Sequence, residues 1–321
     1  MKHKLQKLAA EEGASTVITA IILSFLLAMA SLTIDIGMTY ADASAIQNVA
    51  DAVALSLGQC LPVEDNAAAI AGVVALADEY AAKNGYTGLT AEDIILGGLV
   101  EDRYRSLTIN LSKTSPTYLA KIIGVKEITS RKSATVSAVP AGSLVGCVPV
   151  GISAQSYQTA MATGIKEHVV FKAGGGGGEN GFFGYIVIDG SNGNAKALLD
   201  TFKYGYDGEV CVGDIYPIAK GNKASVAKEG VNYRMSLCTH FPGDGGCNYL
   251  HYVEDCPRVM TFMIYDFVDS NTVRVKGFSA FVLEYSENED EIQGSFIELN
   301  VAHSSYTSDI EGGIYTYRLT G

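Results

Sequence analysis

From Gly13 to Ile34 the chain reads GASTVITAIILSFLLAMASLTI and carries no charged side chain. At 1.5 Å per residue, a helix over this run spans about 33 Å, enough to cross a hydrocarbon core of roughly 30 Å. Met38–Leu57 continues without Gly or Pro and stays Ala-rich. The pattern predicts one long helix, its first half in a membrane and its second half outside. The apolar core of a cleaved signal peptide spans about 7–15 residues. This run is longer and leads into an amphipathic helix, so an uncleaved anchor is expected.

Charge predicts the orientation. Lys2, Lys4 and Lys7 precede the run, and Asp35, Asp42 and Asp51 follow it. Glu11 and Glu12 weigh little, because orientation follows Lys and Arg. The expected topology is a single-pass cell-membrane protein with a cytoplasmic N-terminus and an extracytoplasmic remainder. The net charge is −12 with no long block of one sign. A nucleic-acid partner would need a basic footprint, and an anionic membrane face would repel this chain. The run Gly174–Gly178 lacks the closing Gly-Lys-Ser/Thr of a phosphate loop. No nucleic acid, nucleotide or cofactor is therefore expected.

All six cysteines, Cys60, Cys147, Cys211, Cys238, Cys247 and Cys256, lie beyond the apolar run. On an extracytoplasmic face an even number reads as up to three disulfides, with the pairing left open. Cys238, His240, Cys247, His251 and Cys256 also carry zinc-type donors. Their spacing matches no tight C-x-x-C knuckle, so disulfides are expected and no metal site is assigned.

Periodicity gives the remaining elements. A helix over 65–83 carries the stripe Ile70, Val73, Val74, Ala77, Tyr80 and stops at Asn84-Gly85. Strands follow at 93–96 and 107–111. Ser115, Pro116 and Gly124 have the placement of a helix N-cap, first turn and stop. A strand over 128–136 precedes Pro140. Further helices are expected at 153–163 and 194–204, and a helix or loop at 222–235. Strands are expected at 167–171, 183–188, 259–268, 272–285, 292–301 and 313–319. In 272–285, Val273 and Val275 keep one phase while Phe278, Ala280 and Val282 keep the other. Gly277 at the phase change predicts a β-bulge. Asp189–Asn194 reads as a Gly/Asn turn, not a calcium loop, because the D-x-D-x-D spacing is missing. Glu287–Glu291 reads as a solvated hairpin loop. The fold class is α+β: a tail at 1–12, the membrane and membrane-proximal helix at 13–60, a small α+β domain at 61–140, and a β-rich external domain at 141–321.

The segment DIGMTYADASAIQNVADAVALSLG completes the picture. Gly13-Ala14, then Asp35, Gly37, Tyr40, Gln47, Asn48, Ala50, Asp51, Ala52 and Leu55, resemble the N-terminal segment of the TadG-like proteins of Tad (Flp) pilus assembly. Looser likeness extends over Ala81–Gly85, Ser133-Ala134, Val148–Val150, Gly221-Asn222, Pro257–Val259 and Val275–Phe278. The resemblance implies a non-enzymatic, membrane-anchored component of pilus assembly or anchoring. Its partners would be other assembly proteins or pilins in the membrane, with contact to cell wall or surface. The D-x-S-x-S metal motif of some family members is absent, since Asp189-Gly190-Ser191 is followed by Asn and Gly. Cutting after Gly13 would put Ile18 where class III prepilins carry Glu, so peptidase processing is not expected. The small residues Gly37, Ala41, Ala43, Ala45, Ala50, Ala52 and Ala54 suit close approach of another helix, or packing on the chain's own domain. Two rivals stand beside the pilus reading. A surface adhesin would lack pilus genes as neighbours. A secreted enzyme would need a pocket of convergent titratable groups, and no nucleophile elbow points to one.

Overall fold

The computed structural model describes residues 2–164, 166–172, 184–220, 223–285, 291–301 and 304–320. Gly174–Gly178, Phe183, Gly221-Asn222 and residues 287–290 of the acidic stretch lie outside the described residues.

Helix α1 (Lys2–Gly58) runs unbroken, as a Pro-free sequence rich in Ala and Leu favours. From Val17 to Ile36 its large apolar side chains are exposed, Phe25 by 65%. The hydroxyls in this stretch bond back to the helix itself. Thr19 donates to the Ser15 carbonyl, Ser24 to Ala20, Ser31 to Ala28 and Thr33 to Met29, at 2.8–3.0 Å. Each donor is thereby satisfied without water, as a lipid environment demands. Among the described residues this is the one helix long and apolar enough to cross a membrane.

The chain divides into two compact units, residues 1–137 with 319–321, and residues 138–318. In the first, β1 (Val63–Glu64), β2 (Ile94–Val100), β3 (Arg103–Pro116) and β4 (Glu127–Pro140) are antiparallel, and β3 pairs with each of the others. The β2–β3 turn is Glu101-Asp102, with φ of 48° and 57°, the backbone of a type I′ hairpin turn whose twist matches the strands. Leu107, Ile109 and Leu111 of β3 and Ala134 and Val136 of β4 are buried. Ile46, Ala50, Val53, Ala54 and Leu57 of α1 are buried at helical spacing. Helix α2 (Ala67–Lys83) adds Val73, Ala77 and Ala81. Its N-cap is Asn66, whose side chain accepts from the Ala69 N–H at 2.8 Å.

The expected helix after Ser115 does not form. Ser115 and Pro116 end β3, paired with Ile128 and Glu127, and only a 3-10 turn (Ala120–Ile123) follows before Gly124. Ser115 does not cap a helix; its hydroxyl donates to Asp42 of α1 at 2.6 Å.

The second unit holds β5 (Ser143–Val145), β6 (Val150–Ser153), α3 (Ala154–Ala162), β7 (Val169–Lys172), β8 (Gly184–Tyr185), α4 (Ala195–Tyr204), β9 (Glu209–Cys211), β10 (Ile215–Pro217), α5 (Ala224–Ser236), β11 (Val259–Phe267), β12 (Thr272–Glu284), β13 (Glu291–Ile297), β14 (Leu299–Asn300) and β15 (Ile314–Leu319). Its main sheet runs β7-β13-β12-β11-β6-β8, with β10 beside β12. Ile264 faces Gly277 while Tyr265 faces Val275, so Lys276 is the extra residue of a β-bulge. The bulge returns Val273, Val275, Phe278, Ala280 and Val282 to one buried cluster. Met260, Phe262, Ile264, Phe281 and Leu283 fill a second cluster with Tyr157 of α3, Leu198 and Phe202 of α4, and Val226 and Ala227 of α5. Alternate residues of one strand thus serve two cores, as a sheet buried on both faces requires.

Candidate functional site

The membrane-proximal half of α1 has two faces. On one, Asp35 is 3% exposed although it directly follows the apolar run. Its carboxylate accepts the backbone N–H of Tyr118 (2.8 Å), Leu119 (3.0 Å) and Ala120, the amides that open the 3-10 turn. Charge-assisted bonds of this kind clamp the Tyr118–Val125 loop to the helix where it leaves the apolar run. The loop leaves Tyr118, Ile122 and Val125 exposed, Ile122 by 79%, beside exposed Lys121 and Lys126. Farther along the same face, Asp42 pairs with Lys113 at 2.6 Å. Gln47 donates to Asp51 at 2.8 Å and to the Ser133 carbonyl at 3.1 Å. Ala50 is fully buried against the chain's own unit.

The other face is free of the unit. Gly37, Tyr40, Ala41, Ser44, Ala45, Asn48 and Leu55 are exposed, and Ala52 is half-buried. Nothing lies within 4 Å of a Cβ placed on Gly37. Gly13 lies within α1. The residues set apart by their sequence therefore split: Asp35, Gln47 and Ala50 serve internal packing, while Gly37, Tyr40 and Asn48 point outward.

The cysteines depart from expectation. All six are free thiols, and no disulfide joins them. Three converge instead. The Sγ atoms of Cys238, Cys247 and Cys256 and a ring nitrogen of His240 all lie within 4.8 Å of one another. Cys238 follows the C-cap of α5, Cys247 follows a 3-10 turn at Pro242–Asp244, and Cys256 precedes β11. Arg258 fixes the intervening loop by donating to the carbonyls of Gly245 (2.7 Å) and Cys247 (3.2 Å), and its backbone N–H donates to Cys256 Sγ at 3.5 Å. Cys247 and Cys256 are buried in an apolar cluster with Val259, Tyr249 and Tyr252 packed around them.

The thiols differ in acidity. Burial pushes Cys238 up, but backbone hydrogen bonds at Cys247 and His240 and side-chain bonds with Cys256 and Cys247 outweigh it and hold it down at about 6. Cys256 is pushed up to about 12, chiefly by burial. Burial also raises Cys60, Cys147 and Cys211, which lie outside the cluster. His251, the fifth donor of the sequence, is not part of the cluster. It sits 3.3 Å from Asp244 and 3.2 Å from Asn248. The pattern C-x-H-x6-C-x8-C was present in the sequence, but its long loops lack the local spacing that marks a knuckle. Arg258 offered no sequence signal for its role.

No family model, curated protein or solved structure matches this chain.

Proposed function

We propose that this chain is a non-catalytic, single-pass component of a Tad-type pilus assembly or anchoring apparatus, with its folded units outside the cell membrane. The observation that carries the reading is the build of α1: an apolar half with no protein covering it, continuous with a half packed on one face and open on the other. A continuous helix holds its folded unit at a fixed height above the bilayer. The loop clamped by Asp35 carries exposed Tyr118, Ile122 and Val125 beside Lys121 and Lys126 next to the end of the apolar run, a composition suited to the headgroup region. The open face offers Gly37, Ala41, Ala45 and Asn48 to another membrane helix, with small residues for close approach and an amide for a hydrogen bond. The resemblance of Asp35, Gly37, Tyr40, Gln47, Asn48, Ala50, Asp51 and Ala52 to the TadG-like pattern suggests the pilus context.

The test is co-purification from membranes dissolved in mild detergent, with bound proteins identified by mass spectrometry. Pilins or other pilus assembly proteins should be enriched. Recovery with carbohydrate-binding or host-surface proteins and no pilus component would contradict the reading.

A further inference from the structure

We propose that Cys238, His240, Cys247 and Cys256 bind one zinc ion in a closed structural site. The inference rests on the second unit alone and stands apart from the pilus reading. A tetrahedral zinc with Zn–S near 2.3 Å and Zn–N near 2.0 Å sets its ligand atoms about 3.5–3.8 Å apart. The four donor atoms, mutually within 4.8 Å, need only small shifts to reach that geometry. Three thiols cannot all be satisfied by disulfides among themselves, whereas one soft divalent cation engages all three and the imidazole together. The Nδ1 atom of His240 is buried and has no hydrogen-bond partner, a state that costs free energy unless something binds there. Arg258 supplies the outer layer: its backbone N–H donates to Cys256 Sγ and its guanidinium holds the loop carrying Cys247. Such outer partners orient metal ligands.

Four protein donors complete a tetrahedron and leave no position for water or substrate, so the ion is structural and not hydrolytic. Sulfur-rich donors with one imidazole select zinc over calcium or magnesium, which take oxygen. The ion would join the C-terminal end of α5 to the start of β11 and close the segment between Cys238 and Cys256, which among its regular elements has only one 3-10 turn.

The full chain, purified in detergent without chelator, should carry about one zinc per polypeptide by elemental mass spectrometry. Cys247→Ser and His240→Ala should each lower that content roughly ten-fold or more, while Cys211→Ser, outside the cluster, should leave it unchanged. Cobalt(II) added to the metal-free wild-type chain should give thiolate-to-metal charge-transfer bands and the intense visible bands of a tetrahedral site, a readout that requires no variant to fold. Zinc-free wild-type protein without such bands, or zinc content unchanged in both cluster variants, would overturn the assignment. So would recovery of two cluster thiols as a disulfide from the native envelope.

Discussion

Asp35 and Ala50 share one face of α1 and do different work there. Asp35 gathers three backbone N–H groups that lead into the 3-10 turn, whose own N-cap residue Leu119 offers no side-chain bond. Asp35→Ala should therefore release the Tyr118–Val125 loop. Hydrogen exchange should show faster exchange of the Tyr118, Leu119 and Ala120 amides, with Asp35→Asn intermediate because one acceptor oxygen remains. Unchanged exchange would show that the clamp is dispensable. Ala50 has no exposed surface, so a larger side chain must displace its neighbours. Ala50→Leu should destabilise the first unit by about 1–3 kcal/mol, read as a lowered Tm in detergent. Ala41→Leu adds the same bulk to the exposed face and should leave the Tm within the effect of an ordinary surface change, about 0.5 kcal/mol. Equal losses would mean that the two faces are not distinct. The sequence marked both as small residues on an Ala-rich helix; which face each occupies depends on the strands that pack there, and no local pattern encodes that.

At the scale of elements, α4 and α5 meet through a glycine. A Cβ on Gly230 would lie 2.3 Å from the Phe202 ring, so the two helices approach as closely as they do only because position 230 has no side chain. Arg234, one turn on, donates to the carbonyls of Phe202 (2.6 Å), Pro257 (2.9 Å) and Val259 (3.3 Å), joining α5 to the end of α4 and the start of β11. Gly230→Ala should cost about 1–3 kcal/mol, measured by chemical denaturation of the full chain, and a neutral result would show that the helix pair can spread. Periodic elements were legible from sequence. The β12 bulge was written in the phase change between Val275 and Phe278, because burying both halves on one face required an inserted residue. The region after Ser115 misled because Ser-Pro before an apolar stretch reads as a helix start. Pairing of β3 with β4 as far as Pro116 and Glu127, together with the Ser115–Asp42 bond, overrode that local preference. The donors of the thiol cluster were legible as zinc-type residues, but disulfides were expected because the spacing is loose; that Cys238, His240, Cys247 and Cys256 converge follows only from the tertiary fold, which brings together a helix end and the loop that leads to β11.

At the scale of the whole molecule, one helix supplies both an exposed apolar run long enough to cross a membrane and part of a folded core. The exposed apolar half of α1 has no charged residue from Ser15 to Ile34, and each Asp, Lys or Arg at its centre would cost about 2.5–3.5 kcal/mol of insertion. An alkaline carbonate wash should leave the chain in the membrane pellet, and introducing Leu26→Arg should shift it towards the supernatant. Release of the unaltered chain would remove the anchor from the account. The pilus role is the central claim, and surface filaments test it most directly. Electron-microscopic filament counts should be compared between cells lacking this chain and the same cells with the chain restored, beside immunoblots of the major pilin. The account predicts that filaments are lost while pilin persists in the membrane, and that restoring the chain restores them. Normal filament numbers in cells without the chain would contradict it.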